Sequence, residues 1–158
     1  GKFLTKIFQG ETINTPSMLC VEDVLGALKW ADKIGGGETL ILRSKNNLKA
    51  ISNWVDSTPW VEFLAASKSF RSSTSVCLKF VDPWFLSLSE SLQVKVPKDI
   101  DSMLEEQGVA FDINGYRDAP PGLRIWGGST IETEDLQDLF PWLDWAYTSV
   151  KAKTERKK

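Results

Sequence analysis

The segment from Gly115 to Arg124 carries the residues best suited to bind an anion. The chain has only five arginines, and two of them, Arg117 and Arg124, flank a stiff Pro-Pro-Gly turn. Arg124 stands inside an apolar stretch, between Leu123 and Ile125. Because a buried guanidinium is costly unless a planar anion pairs with it, Arg124 should meet either an internal carboxylate or the carboxylate of a ligand. Spacing alone favours neither partner.

What the chain lacks excludes several kinds of site. Its 158 residues contain no histidine, which excludes Ser-His-Asp triads, imidazole bases and histidine metal sites within this chain. Cys20 and Cys77 are far apart and form no CxxC pair, so neither a zinc site nor a disulfide framework is expected. We expect no metal, and two buried thiols in a reducing cytoplasm.

Charge and composition argue against two classes of partner. Lys and Arg number 19 and Asp and Glu number 21, which lacks the basic excess of a nucleic-acid binder. No apolar run approaches the roughly 20 residues that a membrane span needs. Six of the seven tryptophans lie on or beside apolar patterns, so packing explains them better than a base-stacking platform does. We therefore expect neither nucleic acid nor membrane as a partner.

Helices are predicted in the first third of the chain. Ser17 offers an N-cap to an amphipathic helix that ends at the glycines 35–37, which are better explained as a helix stop than as a phosphate-binding loop. A second helix, ended by Pro59, should follow. Its apolar stripe comprises Ile41, Leu48, Ile51 and Val55.

Strands and further helices are predicted after Pro59. The strands are residues 60–63, 75–81, 109–113 and 123–126; in the second, Val76, Leu78 and Phe80 alternate with polar or small residues. Residues 84–108 should be helical or turn-broken, with Gly108 as the stop. The last helix should be capped by Thr133 and kinked at Pro141. Its apolar face comprises Leu136, Leu139, Phe140, Leu143, Tyr147 and Val150. Together these elements predict an α+β domain in which helices pack on one face of a small antiparallel or mixed sheet.

Four segments in register resemble one family. Residues 11–17 (ETINTPS), 75–85 (SVCLKFVDPWF), 116–128 (YRDAPPGLRIWGG) and 141–147 (PWLDWAY) together resemble phosphoserine aminotransferase, a class V pyridoxal-phosphate-dependent family. The match runs from about Lys6 to Val150 and is to the C-terminal part of the enzyme. The resemblance implies a fold of the aminotransferase C-terminal small-domain type. Residues 1–17 would lead from the large domain, residues 18–150 would form the small domain, and residues 151–158 would be a charged, solvated tail.

The resemblance also implies roles for five residues. In the family, an Asn-Thr-Pro segment crosses the dimer interface to the cofactor phosphate of the partner subunit, which corresponds to Asn14 and Thr15. An arginine that holds the substrate α-carboxylate corresponds to Arg124. A His-Arg pair that helps to hold the substrate's phosphate or γ-carboxylate corresponds to Tyr116 and Arg117, so the histidine is replaced here.

The activity implied is conversion of 3-phosphohydroxypyruvate and L-glutamate to O-phospho-L-serine and 2-oxoglutarate, in serine biosynthesis, by a cytoplasmic homodimer. The lysine that forms the Schiff base with pyridoxal phosphate belongs to the family's large domain. None of the fourteen lysines here has a matching context. We therefore expect this chain alone to be inactive, to hold no covalent cofactor and to contain no catalytic residue, with the large domain as its partner.

Two other functions remain open at this stage. The first is a non-catalytic, stand-alone binding or dimerisation module derived from the aminotransferase small domain, an idea that rests on where the chain starts relative to the family's domain boundary. The second is a small-anion-binding protein, which should bind phosphoserine or glutamate without a partner domain. The faces that normally meet the large domain and the partner subunit would be exposed in this chain, so apolar patches should drive self-association.

Overall fold

A computed structural model describes residues 4–116 and 118–156 of the chain. It separates into two compact units, of which the first ends at Leu40 and the second begins at Ile41.

The first unit is helical and has almost no interior. A short 3₁₀ helix spans Thr5–Gln9, and helix α1 spans Met18–Lys33 with none of its residues buried. Ser17 caps α1 as predicted, because its hydroxyl accepts from the backbone N–H of Cys20 at 3.5 Å. Gly35 and Gly36 end the helix with φ of 110° and 73°, a region that glycine enters without strain. Cys20 is exposed, so the expectation of a buried thiol is wrong there.

Helix α2 spans Gly36–Ser57 and continues into the second unit. Its predicted stripe is partly wrong, because Ile41 is 56% exposed whereas polar Ser44 and Asn47 are buried. Asn47 is fully buried, and its amide N–H₂ donates to the carbonyls of Gly127, Gly128 and Ile131 at 3.0–3.2 Å. These hydrogen bonds compensate the burial of a polar side chain and hold the loop that follows the last strand.

The second unit contains a three-stranded antiparallel sheet. Strands β1 (Val61–Phe63), β2 (Ser75–Phe80) and β3 (Gly122–Trp126) lie in the order β1-β2-β3. Three of the four predicted strands are thus confirmed. Gly122 has no room for a side chain, since a Cβ there would lie 2.0 Å from the carbonyl oxygen of Leu78.

Helices cover the sheet and complete one core. They are α3 (Pro83–Leu86), α4 (Glu90–Glu106) and α5 (Thr133–Glu155), and α2, α4 and α5 share a single apolar cluster with the buried face of the sheet. Aromatic rings fill its centre: Trp54 stacks on Phe140 and Trp60 on Tyr147, at centroid distances of 5.0 and 4.2 Å. The α+β fold class predicted from the sequence is confirmed.

Two local predictions are wrong. Residues 109–113 form a loop rather than a strand, and only an isolated bridge joins Asn114 to Leu123. Thr133 does not cap α5; Glu132 is the N-cap residue, and the Thr133 hydroxyl instead donates to the side-chain carbonyl of Asn47 at 2.7 Å. Helix α5 continues without interruption through Pro141 and beyond Val150, so residues 151–155 of the predicted charged tail are helical.

Candidate functional site

Arg124 lies at the centre of β3, on the sheet face that turns away from the core. Its neighbours Leu123 and Ile125 are 2% and 1% exposed, and side chains alternate between the two faces of a strand. In register, Arg124 lies opposite Cys77 of β2. The sheet therefore directs the arginine to its outer face, while the strand around it remains anchored in the core.

The guanidinium of Arg124 is only partly satisfied. Its Nη2 donates to Oδ2 of Asp112 at 2.5 Å, and its Cζ lies 4.5 Å from the ring centroid of Tyr116. The Nε atom is buried and has no hydrogen-bond partner among the described residues. Beside it lies a cavity of about 250 Å³. The sequence left open whether Arg124 meets an internal carboxylate or a ligand carboxylate, and the structure contains the internal one. Asp112 accepts from Nη2 but leaves Nε without a partner among the described residues.

The loop before the Pro-Pro-Gly turn fixes Asp112 in place. The carbonyl of Ile113 accepts from the backbone N–H of Arg124 at 2.7 Å, and the N–H of Ile113 donates to Oδ1 of Asp101 in α4 at 2.9 Å. Asp112 itself has a φ of 55°, in the left-handed region that Asp and Asn enter more easily than most residues. Strand β3 and helix α4 thus hold this short, conformationally unusual segment from both sides.

Aromatic side chains surround the arginine on the outer face. Phe111 and Trp126 line the cavity next to Arg124 and are 69% and 55% exposed, and Tyr116 is 68% exposed. Such exposed rings reduce the access of water to a bound anion without adding charge. Arg117, predicted to assist Arg124, lies outside the described residues.

Asn14 and Thr15 belong to the first unit, whereas Arg124 belongs to the second. Both side chains are exposed, in the non-helical segment between the 3₁₀ helix and α1. Thr15 precedes Pro16, which favours an extended backbone at that position. An amide and a hydroxyl placed next to a helix N-terminus have the chemistry of phosphate ligands.

Sequence reasoning missed Asp112 as the partner of Arg124. Nothing in residue type or spacing distinguishes this carboxylate from the chain's other acidic residues. The available signal was conformational: Asp112, Asn114 and Gly115 all tolerate positive φ, and their clustering argues for a loop rather than a strand. A loop at that point would have placed Asp112 near the neighbouring strand.

A second polar cluster joins the end of α5 to the loop after β2. Oδ2 of Asp82 accepts from the hydroxyl of Tyr147 and from Nζ of Lys151, both at 2.7 Å. Burial, followed by the hydrogen bond to Asp82, raises the pKa of Tyr147. Burial alone would also raise the pKa of Asp82, but hydrogen bonds from Lys151, Tyr147 and the Trp84 N–H together hold it below its usual value. The cluster is an ion pair that joins these elements, and its three side chains line a cavity of about 550 Å³.

The described residues contain neither a cluster of metal-ligating side chains nor a helix that could span a membrane. Within residues 4–116 and 118–156, no group of three or more Cys, Asp and Glu side chains is arranged to hold a metal ion. No helix in the same part of the chain is long and apolar enough to cross a bilayer.

Sequence comparison identifies close relatives along part of their length. No family model matches the chain. Phosphoserine aminotransferases of Methanosarcina barkeri and Methanosarcina mazei are each 50% identical to it over 151 residues, which is 96% of this chain. The chain spans 38% of the length of those curated relatives.

Structural comparison finds solved phosphoserine aminotransferases with a similar fold at lower identity. A phosphoserine aminotransferase from Bacillus circulans subsp. alkalophilus superimposes with a TM-score of 0.71 at 19% identity, over 92% of this chain and 37% of the other. A phosphoserine aminotransferase studied for radiation damage of its Schiff base gives a TM-score of 0.70 at 20% identity, with the same coverage. These values establish the fold, while the 50% identity establishes the sequence relationship. The resemblance to the phosphoserine aminotransferase family is therefore confirmed for a chain that corresponds to about two fifths of such an enzyme.

Proposed function

We propose that this chain is the C-terminal domain of a phosphoserine aminotransferase, where it holds the carboxylate of the substrate. The complete enzyme would convert 3-phosphohydroxypyruvate and L-glutamate to O-phospho-L-serine and 2-oxoglutarate, the transamination of serine biosynthesis. The support is 50% identity to phosphoserine aminotransferases over nearly the whole chain, together with an arginine whose donors are not all used.

The half-satisfied Arg124 is the observation that carries this proposal. A carboxylate binds a guanidinium best through two parallel hydrogen bonds, and Nε with Nη2 offers such an edge. Nε has no partner among the described residues, and a cavity adjoins the side chain. Held in this way, a substrate's α-carboxylate would orient the reacting carbon, which contributes positioning rather than bond-making. Tyr116 stacks on the guanidinium and would limit its rotation, and Arg117 would add positive charge.

Asn14 and Thr15 are proposed to contact the phosphate of pyridoxal phosphate in the partner subunit of a homodimer. Their exposed amide and hydroxyl groups suit this role without a net charge. The cofactor, when bound, supplies the electron sink for transamination. Asn14 and Thr15 would therefore anchor one end of it and take no part in proton transfer.

The described lysines do not suit the covalent role. None of them is buried, and the two that are half-buried, Lys79 and Lys151, are each ion-paired with a carboxylate, that of Glu62 or of Asp82. We therefore assign the Schiff-base lysine to the large domain of the same enzyme, which is the proposed partner of this chain. Two free cysteines agree with a cytoplasmic location.

A chimera tests the role of Arg124. This chain would replace the matching region of the Methanosarcina barkeri enzyme, and the KM for L-glutamate would be measured. Charge-assisted hydrogen bonds contribute about 1.5–3 kcal/mol, so Arg124→Ala should raise the KM about 10- to 150-fold. Arg156→Ala, which removes an exposed arginine near the end of α5, is the matched control and should leave the KM unchanged. Equal effects of the two substitutions would refute the proposal.

A dimerisation module without catalysis is the second candidate, and one observation favours it. Apolar side chains of α1, such as Val24 and Leu28, are more than half exposed, as expected of a surface that another polypeptide covers. A chimera that lacks activity, although it folds and dimerises, would favour this candidate over the first.

A further inference from the structure

Asp112 occupies part of the position that a ligand carboxylate would need. It bonds to Nη2 of Arg124 and leaves Nε without a partner among the described residues. The Asp112 side chain is 83% exposed, whereas that of Arg124 is 21% exposed. Because the Asp112 carboxylate is already largely hydrated, its displacement from Arg124 would cost little free energy. A ligand bound to both Nε and Nη2 would also satisfy the Nε donor, which now has no partner among the described residues.

The backbone holds this carboxylate next to the arginine at a conformational cost. Asp112 has a φ of 55°, and a non-glycine residue in this region is maintained only where its surroundings fix it. Here the hydrogen bonds of Ile113 to Arg124 and to Asp101 fix it from two directions. The side chain can rotate away while these backbone contacts stay in place, because none of them uses the Asp112 carboxylate.

We propose that Asp112 is a displaceable internal counter-ion that competes with substrate carboxylates for Arg124 and so sets their affinity. This inference rests on the proposed function, because it takes the Arg124 site as the carboxylate site. Without substrate, Asp112 keeps the guanidinium paired and prevents adventitious anions from holding it tightly. With substrate, the incoming carboxylate takes Nε and Nη2, and Asp112 moves into solvent.

Acetate titration of the 158-residue chain, followed by the backbone amide NMR resonances of β3, tests the competition. Asp112→Asn removes the charge and retains a residue that tolerates the left-handed region. An exposed ion pair contributes about 0.2–1 kcal/mol, so the acetate dissociation constant should fall by up to about fivefold. Asp112→Gly, which also suits positive φ, should reproduce the gain. Asp138→Asn removes the same charge from an exposed position of α5 and should change nothing.

Each outcome separates the inference from the proposed function. If Arg124→Ala abolishes the acetate response while Asp112→Asn leaves the affinity unchanged or weaker, Arg124 remains the carboxylate site and the competition is refuted. If Arg124→Ala binds acetate as well as the unmodified chain, both ideas fail. If Asp112→Asn and Asp112→Gly show no acetate response at any concentration, the competition is refuted as well, since an arginine released from its counter-ion should bind the probe.

Discussion

Helices α1 and α5 carry similar amphipathic patterns and meet opposite environments. On α1, Met18, Val24 and Leu28 are between 56% and 70% exposed; on α5, Leu136 and Leu143 are at most 3% exposed. A pattern of three- and four-residue spacing predicts a face that must be covered, and it carries no information about what covers it. The difference indicates that α5 builds the core of its own unit, whereas the apolar face of α1 stays exposed.

The largest loss of folding stability should come from truncating a side chain on the buried face of α5. Leu143→Ala removes a side chain with 0% exposure from the inner face of α5 and should lower the free energy of unfolding by about 2–5 kcal/mol. Leu28→Ala on α1 makes the same chemical change at 56% exposure and should cost less than about 0.5 kcal/mol. Denaturant unfolding of both variants measures the contrast. Similar losses would show that α1 is covered within the chain and would remove the distinction between the helices.

The next effect concerns the buried amide that joins α2 to the start of α5. Asn47→Ala leaves three carbonyls and the Thr133 hydroxyl without their partner and should cost about 2–3 kcal/mol. Asn46→Ala is exposed on the same helix and is the matched control. Equal midpoints of unfolding for the two variants would mean that the network around Asn47 contributes no stability.

A smaller loss of folding stability, which should depend on pH, is expected when the Asp82 carboxylate is removed. The pKa of Asp82 lies below its unfolded value of about 3.9, so the unfolded chain takes up the proton first. The contribution of the ionised Asp82 carboxylate to the free energy of unfolding is therefore complete above the unfolded pKa, and it is lost as the pH falls through the folded pKa. Asp82→Asn should lower stability by about 1–2 kcal/mol at pH 7 and by progressively less in acid. A difference between the two proteins that stays constant from pH 7 down through the folded pKa would contradict this linkage.

The smallest effect on folding, and the clearest on association, should come from a charge on α1. Leu28→Glu should leave the unfolding midpoint unchanged and weaken self-association, because it interrupts the exposed apolar face. Lys29→Glu changes the charge at an exposed neighbour and is the control. Sedimentation velocity over a range of concentrations measures the self-association of both variants. A chain that is monomeric at every concentration before any substitution would contradict the expected association.

Elements with a strong local pattern could be predicted from the sequence, and elements fixed by partners could not. The alternation of Val76, Leu78 and Phe80 predicted β2 correctly, since each of these residues is at most 4% exposed. Residues 109–113 have the apolar character of a strand, but the backbone of Ile113 bonds to the Asp101 side chain and to Arg124. Asn47 was missed because a polar residue is buried only where carbonyls converge on it, and that convergence exists only in the folded chain.

The candidate site was predictable only in part for the same reason. Arg124 could be identified because an arginine inside an apolar strand requires an anion. Its internal partner could not be identified, because Asp112 reaches it through a loop geometry that no spacing rule describes. The roles proposed for Asn14, Thr15, Tyr116 and Arg117 rest on the family resemblance and stay predictions.

Gly122 is constrained by the packing of the sheet, whereas Arg124 on the same strand is constrained by its proposed ligand. It lies two positions before Arg124 and accepts only a hydrogen atom, because β2 passes too close for any larger group. Chains that keep this sheet but no longer need the carboxylate site proposed at Arg124 would be free to vary at position 124, yet they would still need glycine at position 122. The residues at these two positions in a related chain therefore distinguish a domain that keeps the sheet but binds a different ligand from a domain that has lost the sheet.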